Sequence, residues 1–424
     1  MPNRKDSSDE ISIPDINVFN ELLKGSDGRE ISTTMAFVRF LRLICKDNNI
    51  GDRIVPIIPD EARTFGIDPL FREIGIYSSK GQVYEPVDSE QFLYYKEATD
   101  GQILEEGITE AGSMSSFIAA GTSHITNGIK MIPFFIYYSM FGFQRIGDSI
   151  WAAGDMRSKG FLIGGTAGKT TLAGEGLQHQ DGHSHLIAST IPNLKAYDPA
   201  FSYEIAIIIH DGLKRMYIDN EDIFYYITVE NENYVHPEMP DNVHDGILKG
   251  MYLLKESKKS KTKVQLLGSG SILNEAIEAS KLLEKDWDIQ SDVWSVTSYS
   301  ELSRQAEDVD RWNKLNSLKK SKQSYLNKCL NEDHPVIAVS DYVKLVTEQI
   351  SPYIKSNFTS LGTDGFGRSD TRERLRDFFE INRYYIVISA INSLVESNKL
   401  DRKIIQKAIE KYNINPDKEN PFKI

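Results

Sequence analysis

Cysteine is almost missing from this chain. Cys45 and Cys329 are its two thiols in 424 residues, far apart and with no C-x-x-C pair. That excludes a disulfide-stapled scaffold and a dithiol redox motif, and it points to a reducing, cytosol-like compartment with both cysteines structural. Positive charge is also short. Lys and Arg number 49 against 61 Asp and Glu, a formal net charge of −12. Such a balance argues against a general nucleic-acid binder and against a protein held on an anionic membrane surface. No apolar run is long enough to span a bilayer. The most apolar one, Ile129 to Phe143, is broken by Lys130, Pro133 and Ser139 and reads as a buried strand. The mixed-charge, polar N-terminus carries no evident targeting segment, and there is no internal repeat or low-complexity tract. A soluble protein with room for two or three cores is what these absences leave.

What the chain does have is concentrated between Tyr137 and His185. Three of eight histidines, His179, His183 and His185, close that stretch, after a run containing Gly164, Gly165, Gly168, Gly174 and Gly176. Glycine lets backbone approach a ligand closely, and imidazole can titrate near neutral pH or bind a metal. A long solvated surface loop would have the same composition. The remaining histidines are scattered and suggest no role.

Taken in order, residues 1–28 read as a polar lead-in or linker. Ser32 and Thr33 occupy an N-cap position before TTMAFVRFLRLICK, whose Phe37, Leu41 and Ile44 share a helical face. RIVPIIPDEART is a short buried strand ending in Asp60, Glu61 and Arg63, where α/β folds place their sites, although a solvated loop is equally compatible. Glu110 opens a helix of small residues. It either favours the helix dipole or serves as a buried carboxylate that exchanges a proton with a ligand nitrogen. MIPFFIYYSMF is the next strand, carrying Tyr138 and Phe141 as core or as a platform for a flat heterocycle. SHLIAST, EIAIIIHDGL and IFYYITV are expected to be further strands. Alternation of strand, helix and loop over 30–230 predicts an α/β domain with a mainly parallel sheet. GGTAGKTT has the wrong spacing for a phosphate loop, because its required first glycine falls at Ile163. A polar, charged stretch over 231–262 marks a boundary, after which KVQLLGSGSILNEAIEASKLLEK opens a second α/β unit. The expected division is 1–28, 29–240 and 241–424.

Together, PIIPDEARTFG, GQILEEGITEAG, MIPFFIYYSMFGFQRIGD, GFLIGGTAGKTTLAGEGLQHQDGHSH, VQLLGSGSIL and LGTDGFGRSD closely resemble the single-chain decarboxylating component of bacterial pyruvate dehydrogenase. That family depends on thiamine diphosphate and has a transketolase-like fold. The resemblance runs from about residue 30 to the C-terminus and covers only the family's second and third domains. It implies two doubly wound α/β domains, a pyrimidine-binding domain followed by a transketolase C-terminal-like domain.

Matched residue by residue, the resemblance implies that Glu110 hydrogen-bonds the ring nitrogen of the cofactor's aminopyrimidine and controls its tautomer. It places Phe141 against the pyrimidine face and Tyr138 beside it. His179 falls on the substrate side, with Asp60 and Glu61 at the mouth of the same site, and His179 and Glu61 counted with Glu110 among the catalytic groups. His183 and His185 receive no catalytic role, and the C-terminal domain is expected to serve dimer contacts. The implied reaction is oxidative decarboxylation of pyruvate, with reductive acetylation of a lipoyl group on the dihydrolipoyl acetyltransferase.

One departure from the family pattern matters. The GDG motif and following asparagine, which hold the diphosphate through Mg2+ in the family's first domain, have no counterpart, since Gly51 opens GDR and Gly147 opens GDS. The chain is therefore expected to need a partner chain or domain carrying the diphosphate half, as a truncated product or one subunit of a split enzyme, in a homo- or hetero-oligomer. A non-catalytic assembly or regulatory chain, or an enzyme for another 2-oxo acid, are the alternatives.

Overall fold

Ser32 caps the first long helix, as its position predicts. Its hydroxyl accepts the Met35 N–H at 3.1 Å, and α1 (Thr33–Ile44) buries Phe37, Phe40, Leu41 and Ile44. The structure is a computed structural model that describes residues 10–59, 62–90, 94–330 and 333–424. Asp60 and Glu61 lie outside the described residues. The chain divides into two units, one of Met1–Ala167, Ile187–Lys195 and Phe201–Met239, the other of Gly168–Leu186, Ala196–Ala200 and Pro240–Ile424.

The six-stranded sheet of the first unit contains β1 (Ile54–Ile58), β2 (Leu104–Glu105), β3 (Ile132–Tyr138), β4 (Phe161–Gly165), β5 (Leu194–Tyr197) and β6 (Phe224–Thr228). Their order is β2-β1-β3-β4-β6-β5, and the β2/β1, β1/β3, β3/β4 and β4/β6 pairs are parallel. A parallel sheet covered on both faces needs strands that are apolar throughout. IVPII and FLIGG are accordingly buried at every position. Two helices pack beside the central pair, α2 (Glu110–Thr126) and α3 (Ser139–Asp155).

Three expectations are corrected here. EIAIIIHDGL is not a strand but part of α4 (Ser202–Tyr217), which buries Ile205, Ile207, Ile208 and Ile209 together. An unbroken apolar run has no period to tell strand from helix. The start of α4 is set by Glu204, whose carboxylate accepts the Phe201 N–H at 3.2 Å. SHLIAST likewise begins with a helical turn, Ser184–Ala188. Asp181 nucleates it by accepting the N–H groups of His183 and Ser184 at 2.9 and 3.0 Å. The supposed polar lead-in forms helical turns at Ile16–Phe19 and Asn20–Leu23. There Phe19 is fully buried and stacks on Phe40 at 4.2 Å. Phe19 and Leu22 bury apolar surface there, and the Ser202 hydroxyl donates to Leu22 O at 2.8 Å.

In the second unit the strands are β7 (Met251–Lys255), β8 (Lys263–Gly268), β9 (Gln290–Val296), β10 (Val336–Val339) and β11 (Phe358–Leu361). Their order is β7-β9-β8-β10-β11, with β7 antiparallel at one edge and the rest parallel. The helices α5 (Leu273–Trp287), α6 (Tyr299–Leu315) and α7 (Arg383–Glu396) accompany this sheet. Met251, Leu267, Val296, Val336, Ala338 and Tyr342 belong to one core cluster. The glycine and histidine loop from Gly168 to Leu186, expected in the first domain, clusters with this second unit.

Both cysteines are free. Burial pushes the Cys45 thiol up to about 12 and raises that of Cys329 as well, which suits inert, structural thiols. No helix among the described residues is long and apolar enough to cross a membrane.

Candidate active site

The candidate site of the first unit lies at the carboxyl ends of β3 and β4, where open parallel sheets bind ligands. Tyr138 ends β3 and pairs in register with Gly165 at the end of β4. Glycine is required at this point. A Cβ on Gly165 would stand 2.4 Å from the Phe65 ring, and one on Gly164 would stand 2.5 Å from the Tyr226 hydroxyl. Phe65 can therefore lie over the strand end, with its ring 5.4 Å from Tyr138. Tyr138 in turn meets Phe141 edge-on at 5.7 Å.

Glu110 comes from the first residue of α2. Thr109 caps that helix by accepting the Gly112 N–H at 3.2 Å, so the carboxylate sits at the positive end of the helix dipole. Only 12% of its side chain is exposed. Arg145, one turn along α3 from Phe141, completes the group. Its guanidinium carbon lies 3.9 Å from the Phe141 ring centroid, and its Nη1 donates to Glu110 Oε1 at 2.7 Å. A flat cation thus lies on Phe141 and presents an N–H edge to Glu110. Sequence reasoning missed Arg145. The signal available was its i, i+4 spacing from Phe141 on a helix.

Glu110, Phe141 and Tyr138 are thus brought into one group, while His179 belongs to the second unit. The His179 Nδ1 approaches the Glu175 carboxylate at 3.4 Å, and 24% of its side chain is exposed. His183 Nδ1 lies 3.7 Å from Asp181. His185 is buried edge-on against Tyr342 at 4.8 Å, where desolvation lowers its pKa. Lys169, the lysine of the AGKTT run, is buried and donates to the carbonyls of Thr363 and Gly365. Among the described residues no group of three or more His, Cys, Asp or Glu side chains could hold a metal ion.

Comparison with known proteins also divides the chain in two, with the Gly168–Leu186 loop inside the first match. Residues 10–237 match the family model of the pyruvate dehydrogenase E1 component middle domain, and residues 250–382 match a transketolase-like C-terminal domain. The pyruvate dehydrogenase E1 component of Pseudomonas aeruginosa is 57% identical over 425 residues, covering 100% of this chain and 48% of that protein. The chain spans about half the length of the curated relatives it matches. Among solved structures, transketolase from Campylobacter jejuni superposes with a TM-score of 0.66 at 18% identity, over 89% of this chain and 49% of that one. A split-gene transketolase, characterised as an inactive beta4 tetramer, superposes at 0.56 with 15% identity, over 86% of this chain and 98% of that one. At such identities these structures speak to the fold alone.

Proposed function

The chain belongs to the pyruvate dehydrogenase E1 component family, and we propose from that premise that it supplies the pyrimidine-binding half of an enzyme that oxidatively decarboxylates pyruvate. E1 components and transketolases depend on thiamine diphosphate. The observation that carries the proposal is the placement of Arg145. A planar group of N–H donors already rests on Phe141 at 3.9 Å and bonds Glu110 at 2.7 Å. An aminopyrimidine is also planar and also offers nitrogen to a carboxylate, so these residues fit it.

In this proposal Phe141 stacks on the pyrimidine and Tyr138, braced by Phe65, lines its edge. The pyrimidine's ring nitrogen takes the place at Glu110 now held by Arg145. Its bond there is charge-assisted and largely shielded from water, which holds a proton at that atom and sets the tautomer. His179 is placed on the substrate side with Asp60 and Glu61, the last two being outside the described residues. When bound, thiamine diphosphate supplies the carbon nucleophile and the electron sink for loss of carbon dioxide. The diphosphate and its Mg2+ are assigned to a partner domain or chain, corresponding to the part of the relatives that this chain does not match. The acyl acceptor is assigned to the lipoyl domain of a dihydrolipoyl acetyltransferase. Domains at 29–240 and 241–424, the first binding pyrimidine, are part of the same proposal.

The test is reassembly. Mixed with a protein carrying the other half of a relative's length, the chain should decarboxylate pyruvate with thiamine diphosphate and Mg2+. A stable mixture that binds the cofactor yet leaves pyruvate untouched would contradict the assignment of substrate.

A further inference from the structure

The loop that carries His179 has little to hold it in one shape by itself. Gly174 and Gly176 adopt φ of +91° and +81°, and no regular element runs from Gly168 to His183. Glycine-rich backbone of this kind samples many conformations unless its surroundings select one. A side chain that acts on a substrate has to be held to within about 0.5 Å of its working place. Something else in the second unit must therefore supply the order.

We propose that Gln180, gripped by the 361–372 segment, is the positioning residue of His179. The inference rests on the placement of His179 at the substrate proposed above. Gln180 is 2% exposed, and its amide is occupied at both ends. Its Nε2 donates to Leu172 O at 2.8 Å and to Arg368 O at 2.9 Å. Its Oε1 accepts the Arg368 N–H at 2.7 Å. Those three bonds tie the residue next to His179 both to the start of its own loop and to a distant strand of chain. The fit is tight enough to dictate Gly367, where a Cβ would stand 2.2 Å from Gln180 Oε1 and 3.0 Å from Leu177 Cα.

The beginning of the loop is fixed from the same unit. Asp341, fully buried, accepts the N–H groups of Thr170 and Thr171 at 2.8 Å each and the Thr171 hydroxyl at 2.7 Å. Arg372 Nε donates to Thr171 O at 2.7 Å, and the Ser369 hydroxyl donates to Gly174 O at 2.8 Å. The loop is thereby pinned at both ends, with His179 adjoining the second pin. The C-terminal unit thus contributes the frame of a candidate active-site histidine, beyond the dimer contacts expected of it.

Two measurements on Gln180→Ala and Gln180→Glu test this, one without any cofactor. Glutamate keeps the acceptor for Arg368 but loses both donated bonds, so the two variants should behave alike. In the chain by itself, amide hydrogen exchange of peptides within 172–180 should speed at least tenfold, about the change expected when a buried clamp is lost, while peptides from β8–β10 stay unchanged. In the reassembled enzyme, kcat for pyruvate should fall roughly 10–100-fold, the range expected for a misplaced group, with KM and cofactor affinity within about twofold of wild type. Unchanged exchange in 172–180, or acceleration spread over the whole unit, would overturn the inference. So would accelerated exchange with full kcat, or a loss confined to KM. Local acceleration in a chain whose wild-type assembly does not turn over pyruvate would uphold the clamp and defeat the proposed activity instead.

Discussion

Replacing Glu110 by alanine should lower pyruvate turnover of the reassembled enzyme by roughly 10²–10⁴-fold, the usual worth of a positioned acid or base. The residue faces a partner of opposite charge, Arg145 at 2.7 Å, and has a helix N-terminus behind it. Neither can perform its proposed task, because a guanidinium and a row of backbone N–H groups only donate. Without the carboxylate, the ring nitrogen of a bound pyrimidine loses the acceptor that holds its proton. Glu110→Gln keeps the shape and the hydrogen-bonding reach but cannot take that proton, so it should fall in the same range. Glu110→Asp keeps the charge and draws it back by one methylene, which should leave an intermediate rate. Steady-state kinetics supply the check, with circular dichroism to show that the fold is retained. An alanine variant within tenfold of wild-type turnover would remove Glu110 from the chemistry.

The largest effect on stability is expected from Glu275→Ala in α5. This carboxylate is 5% exposed. It accepts the N–H, Nε and Nη2 of Arg383, each at 2.9 Å, and lies 3.5 Å from Nη1 of Arg376, itself 6% exposed. Deleting the acid removes the acceptor of three Arg383 donors and the carboxylate facing the buried Arg376. Breaking a buried pair from one side costs about 3–5 kcal/mol, which lowers the melting temperature by roughly 10 °C in a unit of this size. Burial pushes the Glu275 pKa up, but the bonds from Arg383 and the charges of Arg383 and Arg376 outweigh it, leaving the group below its ordinary value. A depressed carboxylate stabilises fully above its unfolded pKa of about 4.3 and loses that contribution as pH falls through the folded value. The gap between wild type and Glu275→Ala should therefore be widest at neutral pH and close in acid. Urea midpoints of the second unit at pH 7 and near pH 3 measure it. A neutral-pH difference under about 1 kcal/mol, the level of an exposed ion pair, would show that the cluster contributes little.

How far the sequence revealed this molecule depended on whether the relevant forces were local. Ser32, Glu110 at a helix start and the strand over MIPFFIYY were legible because capping and apolar runs act over a few neighbouring residues. The group of Glu110, Phe141 and Tyr138 was legible from motif resemblance. α4 was not, since its isoleucines are buried together and leave no periodic trace to separate helix from strand. Phe19 and Leu22 were hidden by polar neighbours, although both are buried in the fold. The ties of the Gly168–Leu186 loop to the second unit were invisible for another reason. Its partners, Asp341 and Arg368, lie more than 150 residues further along the chain, and no local propensity encodes such a pairing. Arg145 stands between these cases, placed by helical spacing but informative only once Glu110 was seen beside it.

Isothermal titration of thiamine diphosphate with Mg2+, into the chain by itself and into its mixture with a protein carrying the other half of a relative's length, addresses the central claim most directly. If this chain holds the pyrimidine through Glu110 and Phe141 while the diphosphate is held elsewhere, heat of binding should appear only in the mixture and should weaken in Phe141→Ala. Strong binding to the chain without its counterpart, or no binding in a mixture shown to associate, would contradict the account.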